Sequence, residues 1–283
     1  MTERHVPSPV EKPVVLMIAG SDSGGGAGIQ ADLKTIEATG GFGTSALTAV
    51  TAQNTTGVES THVLPVDEIE AQIDAVVSDF DVRAVKTGML ATAEIVETVT
   101  AAVAEIDAPV VVDPVMIAAT GDRLLSEDAE SAYGALLAES TLVTPNADEA
   151  EVLTGVAPED EASARRGGDA LLETGADAAL IKGGHMPGDR VLDVLVMPDG
   201  VETITHPRID TDATHGSGCT LSAAIATRLA RGEPLADAVD QSVAFTHRAI
   251  RHHHDVGTGP GAVHHLVALR DDAERERTPS SSR

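Results

Sequence analysis

The chain has 283 residues, 42% hydrophobic and 23% charged, with 45 Asp and Glu against 19 Lys and Arg for a formal net charge of −26. That composition supports a buried core, and its acidity excludes the basic surface that nucleic acids and anionic membranes require. A lone cysteine, Cys219, excludes an internal disulfide framework and any multi-cysteine metal site, and no apolar run approaches the ~20 residues of a membrane span. The first residues, MTERHVPSPVEKP, have no apolar stretch of the signal-peptide kind, so a cytoplasmic protein is expected. With 1% aromatic residues and no Trp, the core must be built from aliphatic side chains, and base-stacking platforms are lacking.

Residues 1–12 read as a flexible polar leader and 271–283 as a disordered polar tail, bracketing one domain over 13–270. Val14–Ala19 reads as a buried strand, followed by a glycine-rich turn and a helix in which Ile29, Leu33 and Ile36 recur at helical spacing before Gly40. Strands are expected at 45–53 and 58–64, a helix at 67–80, a short strand at 84–86, a helix at 94–106 and an apolar strand at 109–112. The alternation continues with a helix near 127–138, a strand at 141–143, helices at 147–153 and 162–173, and a strand at 178–181. Val191–Met197 and Val201–Thr205, separated by Pro-Asp-Gly, read as an antiparallel hairpin, and helices at 219–230 and 235–252 close the pattern. Strands alternating with helices, each strand near-continuously apolar, imply a mostly parallel sheet covered on both faces.

In such folds ligands collect beyond the carboxyl ends of the strands, and the unusual local sequences fall there. Gly20-Ser-Asp-Ser-Gly-Gly-Gly-Ala-Gly28 lets backbone approach a ligand closely, or is simply a flexible turn. It fails the dinucleotide fingerprint, because Ile29 stands where the last glycine is needed, and it lacks the Gly-Lys-Ser/Thr ending of a P-loop. Thr214-His-Gly-Ser-Gly-Cys-Thr220 enters a helix with Leu221, Ile225 and Leu229 on one face. Free amides at the positive end of a helix dipole suit phosphate or developing negative charge. Cys219 there is expected to have a lowered thiol pKa, unless it is a small core cysteine beside a glycine cap. His215, four residues earlier, raises a Cys–His hydrolase as another reading, without an identifiable orienting residue. Asp113 follows Val-Val-Val, where it could orient a hydrated metal or merely cap a turn. Asn146 and Glu149 are spaced as a capping box. Only Lys12, Lys34, Lys86 and Lys182 are lysines, and three of them fall within or beside these blocks. The histidines at 252–254 and 264–265 read as surface or helix-end residues.

The blocks AGSDSGGGAGIQADLKT, TAVTAQNTTGV, VKTGMLA, VDPVM, TPNADEAEVL, IKGGH, THGSGCTLSAAIA and GTGPGAVHH run in order from about residue 14 to 265. Together they resemble the hydroxymethylpyrimidine/phosphomethylpyrimidine kinases of thiamine biosynthesis, in the ribokinase-like superfamily. The resemblance implies a three-layer α/β/α sandwich and ATP-dependent phosphorylation of a pyrimidine alcohol, 4-amino-5-hydroxymethyl-2-methylpyrimidine, then of its monophosphate. Carried over by position, Gly20, Asp32, Gln53, Met89 and Val115 would line the pyrimidine pocket, with the Gln53 amide pairing to the ring. Gly216, Ser217 and Gly218 would form the anion hole, and Lys182 and Thr214 would meet the nucleotide. Asp113, Asn146 and Glu149 would organise Mg²⁺ through water. Cys219 stands where many sugar kinases of the superfamily have an aspartate base; it would either take the substrate proton or shape the pocket. Ala213 and Ser217 depart from the family's usual Asn and Thr or Ala, but both are small. A homodimer is also implied. The competing readings are a pyridoxal-type vitamin kinase of the same fold and a non-catalytic pyrimidine sensor.

An acidic surface with few lysines is also the signature of a halophilic protein, because salt screens self-repulsion. The melting temperature is therefore expected to rise with KCl up to molar concentration, and equal stability with and without molar salt would contradict this reading.

Overall fold

The computed structural model describes residues 9–116, 124, 127–184 and 188–269. Most of the expected leader and all of the expected tail lie outside these residues. One nine-stranded sheet runs in the order β3-β2-β1-β4-β5-β6-β7-β8-β9. Its strands are β1 Val14–Asp22, β2 Phe42–Asn54, β3 Gly57–Val63, β4 Val82–Thr87, β5 Val110–Val112, β6 Leu142–Val143, β7 Ala179–Ile181, β8 Arg190–Met197 and β9 Gly200–Pro207. The helices are α1 Gly28–Ala38, α2 Val66–Val77, α3 Ala93–Ala104, α4 Glu127–Ala138, α5 Ala147–Thr154, α6 Glu161–Glu173, α7 Ser217–Ala230 and α8 Leu235–Arg251.

The strands from β2 to β7 pair in parallel, because each is separated from its parallel neighbour by a crossover. β3 and the β8–β9 hairpin add antiparallel edges. The expected hairpin forms, with Met197 opposite Gly200. Strand alternation then sorts the core into two layers. Leu16, Ile18, Val85, Val112 and Val143 face α2, α3, α4 and α6, meeting Ile69, Ile95, Leu136 and Leu171. Val15, Met17, Ala84, Val111 and Leu142 face α1, α7 and α8, meeting Ile36, Leu221, Ile225 and Val243. This is the α/β/α sandwich expected from the alternation.

Two elements differ from the sequence reading. β1 does not stop at Ala19 but continues to Asp22, where Ser21 and Asp22 pair with Val50 and Thr51 across an irregularity at Gly20. Pairing with β2 alone carries this extension, since the β4 ladder ends at Ile18, and it outweighs the glycine's local preference. The second difference is that the expected β2 and β3 pair antiparallel, around an Asn54-Thr55-Thr56-Gly57 turn.

β1 lies between β2 and β4, so the order of strand addition reverses at it and a crevice opens at the carboxyl edge. The ends of β1, β2, β4, β5, β6 and β7 deliver Asp22, Gln53, Lys86, Asp113, Asn146 and Lys182 to that one edge.

Candidate active site

A cavity of about 470 Å³ occupies this edge. Gly20, Gln53, Met89 and Val115 line it from the β1, β2, β4 and β5 ends, Asn146 and Glu149 from the start of α5, and Thr214 to Cys219 from the turn entering α7. Sequence reasoning thus brings together most of its candidates.

The glycine-rich turn is organised by Asp22, whose carboxylate accepts the amides of Gly24, Gly26 and Ala27 at 2.8, 3.0 and 2.8 Å. It also accepts the Nε2–H of His215 at 3.1 Å. Burial pushes its carboxyl up, but the hydrogen bonds from His215, Ala27 and Gly24 outweigh this and hold it below its ordinary value. His215 therefore serves as a clamp between the first turn and the α7 turn. It makes no hydrogen bond to Cys219, so the Cys–His hydrolase arrangement does not form.

At the α7 turn Gly216 has a φ of 82°, and a side chain there would collide with the carbonyl of Gly26. The Ser217 amide donates to Thr214 O at 3.0 Å and the Thr220 amide to Gly216 O at 2.9 Å. The amides of Gly216, Gly218 and Cys219 have no acceptor among the described residues. Of the residues expected to form an anion hole, the Ser217 amide is engaged within the turn, whereas those of Gly216 and Gly218, together with Cys219, face no acceptor among the described residues. Here helix polarity and unsatisfied donors coincide.

Behind the wall lies a compensated cluster of charges. Lys86, fully buried, donates to both oxygens of Asp32 at 3.0 and 2.9 Å. Asp32 is therefore a correction: it does not line the cavity but is 0% exposed and committed to Lys86. Burial pushes the Asp32 carboxyl up to about 6, with Lys86 opposing the rise. Lys86 is among the lysines that the sequence places in or beside the unusual blocks, where a phosphate-facing cation is useful, but its burial against Asp32 was not legible there.

Lys182 lies 3.1 Å from Asp113 and 3.7 Å from Glu149. Asp113 also accepts the hydroxyls of Thr144 and Ser222 at 3.3 and 3.2 Å. Burial raises the Asp113 carboxyl, but Lys182 and then Lys86 bring it below its ordinary value. Burial pushes Glu149 up to about 7, against the pull of Lys182. The capping box is real: Asn146 Oδ1 accepts the Glu149 amide at 2.9 Å, and Glu149 accepts the Asn146 amide at 2.8 Å. Asp113 and Lys182 sit behind the cavity wall, with Lys182 Nζ 3.3 Å from where a Cβ on Gly218 would lie.

The lowered thiol expected at Cys219 is overturned. Burial pushes it up to about 12; the Lys86 ammonium opposes this, while the carboxylates of Asp32 and Asp113 reinforce it. A helix N-terminus favours a thiolate only where two buried carboxylates do not face it. Elsewhere on the cavity wall, the Gln53 side chain accepts from Thr51 Oγ1 at 3.0 Å, leaving its amide NH₂ for a ligand.

His265, expected at the surface, is 3% exposed and packs under the α7 turn, its Nδ1 2.9 Å from Thr220 Oγ1. A lone sequence position after the last helix carries no signal of this burial. Burial lowers its pKa from the ordinary 6.5 to about 3. The unfolded chain therefore takes up this proton first, and the stability contributed by neutral His265 is lost as pH falls below ~6.5 towards ~3. His265→Gln is expected to lose less melting temperature than the wild type between pH ~7 and ~5; equal losses in both proteins would contradict the assignment.

A family model described as phosphomethylpyrimidine kinase matches residues 22–264. The hydroxymethylpyrimidine/phosphomethylpyrimidine kinase of Streptomyces coelicolor is 50% identical over 262 residues, spanning 92% of this chain and 97% of that protein. Among solved structures, an ADP complex of Bacillus subtilis pyridoxal kinase superposes with a TM-score of 0.85 at 33% identity, covering 92% of this chain and 99% of that one. A phosphomethylpyrimidine kinase from Clostridium difficile 630 gives a TM-score of 0.76 at 39% identity, covering 84% and 100%. Near-complete coverage and a cavity walled by the same blocks that suggested the resemblance lead to one conclusion: the chain belongs to the phosphomethylpyrimidine kinase family.

Proposed function

We propose that the protein transfers the terminal phosphoryl group of ATP to the hydroxymethyl oxygen of 4-amino-5-hydroxymethyl-2-methylpyrimidine, and a second one to the resulting monophosphate. The product would be the diphosphate used in thiamine biosynthesis. The observation that carries this reading is the mixed lining of the cavity. Free amides of Gly216, Gly218 and Cys219 line it from the start of α7. Gln53, Met89 and Val115 line it from the ends of β2, β4 and β5. The amides suit phosphoryl oxygens, and the Gln53 amide with apolar neighbours suits a flat heterocycle with donor and acceptor edges.

The three amides hold the phosphoryl group in transit without any reorganisation, aided by the dipole of α7. Lys182 reaches nucleotide phosphates past Gly218, where no side chain intervenes. Among the described residues no three His, Cys, Asp or Glu side chains are grouped to hold a metal, and Lys182 already bridges Asp113 and Glu149. This donor set fits a cation that arrives on the nucleotide and keeps its own water, as Mg²⁺ does, rather than an all-protein cage. Asp113, Asn146 and Glu149 would hold Mg²⁺ through that water. When bound, it would neutralise charge on the phosphates.

Cys219 sits where the acceptor oxygen meets the amides, but a thiol pushed up to about 12 is protonated at neutral pH. It shapes the pocket, and a loose transition state places little demand on a base. A second reading, phosphorylation of pyridoxal, is favoured by the closer superposition on the pyridoxal kinase than on the phosphomethylpyrimidine kinase, TM-score 0.85 against 0.76. A homodimer, as the resemblance implies, is compatible with either acceptor.

Incubating the protein with the pyrimidine alcohol, Mg-ATP and high KCl should yield first the monophosphate and then the diphosphate, resolved by anion-exchange chromatography. A clear preference for pyridoxal in parallel steady-state assays would displace this reading. Cys219→Ser is expected to retain kcat within about tenfold across neutral pH, whereas a loss of ~10³ would restore the thiol as an essential base.

A further inference from the structure

Two acceptors of opposite electrostatic character pose a problem for this cavity. The alcohol is neutral, while its monophosphate is close to a dianion at neutral pH. Among the described residues lining the cavity, Asp22, Asp148 and Glu149 carry carboxylates, and the chain as a whole has a net charge of −26. His215 is committed to Asp22. Lys86 is the one permanent cation among the described lining residues. Its ammonium has three N–H donors, of which Asp32 takes those directed at its two oxygens. Its side chain is 0% exposed to water but borders the cavity, and Gly88 leaves the space beside it without a side chain: a Cβ there would lie 3.0 Å from Nζ. Gly88, Met89 and Cys219 also line the cavity.

We propose that Lys86 is the contact residue for the anionic acceptor: its remaining N–H meets the phosphate of the monophosphate, and this contact allows one site to take both a neutral alcohol and a phosphomonoester. The inference rests on the function proposed above and deepens it by assigning acceptor choice to one side chain. The Asp32 pair holds the ammonium in place and keeps it charged, since a lysine buried alone would tend to lose its proton. Charge-assisted contact to a phosphate is stronger than to a neutral hydroxyl, so the second transfer depends on Lys86 far more than the first.

Removing Lys86 alone would strand the Asp32 carboxylate in the core, whereas replacing both partners with apolar groups of similar size avoids that cost. The test compares wild type, the double variant Lys86→Met/Asp32→Leu, and Lys86→Gln, which keeps a hydrogen-bond donor without the charge. For each folded protein, kcat/KM is measured with the alcohol and with the monophosphate, and their ratio is the readout. The monophosphate-to-alcohol ratio is expected to fall about 30-fold or more, mainly through KM for the monophosphate. A fall of less than ~10-fold in every folded variant, whatever the absolute rates, would overturn the role of Lys86, because a purely structural loss moves both reactions together. If wild type phosphorylates neither pyrimidine, the functional reading itself fails and this inference falls with it; an active wild type with an unchanged ratio removes the inference alone.

Discussion

Asp22 ties together two turns that are 193 residues apart in the chain. One carboxylate gathers three amides of the glycine-rich turn and the ring of His215 from the turn before α7. The cavity exists between those turns, so its width is set by a charge-assisted hydrogen bond rather than by apolar packing. Gly216 and Gly26 approach so closely that neither position leaves room for error. Beneath the second turn, Thr220 ties its hydroxyl to both Gly216 O and His265, closing a stack of polar contacts from the cavity floor to the C-terminal segment. The free amides at the start of α7 are thus held in position before any ligand enters.

The second constraint is charge balance in a dry interior. Asp32, Asp113 and Glu149 face two ammonium groups, Lys86 and Lys182, none of them more than slightly exposed. Isolated, any of these ions would be costly to bury; together they are compensated, with hydroxyls from Thr144 and Ser222 completing the coordination of Asp113. The same cluster explains why Cys219 keeps its proton. Its helix end favours a thiolate, but the low-dielectric setting and two carboxylates disfavour a further negative charge. Phosphoryl transfer suits such a site, since it asks for positioning and fixed positive potential more than for a strong base.

Scarcity of lysine makes these placements more telling. In a chain whose surface repels anions, two of four lysines are buried beside the cavity, where an entering phosphate would need them. The surrounding acidity then affects solubility and salt response without controlling the site, because buried pairs are screened far less than surface charges.

Sequence by itself determined the order and approximate bounds of the helices and strands, since apolar periodicity and strand–helix alternation are local properties of the chain. It also placed Gly20, Gln53, Met89, Asn146 and Glu149 at or just after strand ends and the 214–219 turn at a helix start, and parallel topology brings the strand ends to one edge. Only the tertiary structure decided what depends on neighbours distant in sequence. Such neighbours extended β1 to Asp22 through pairing with β2 and took Asp32 off the wall by joining it to Lys86, 54 residues on. They also buried His265 under Thr220 and raised the Cys219 thiol. Local pattern reports which face a residue turns to its own element, whereas burial and charge partners are set by whatever other elements pack there, and so pKa values and salt bridges could be read only after folding.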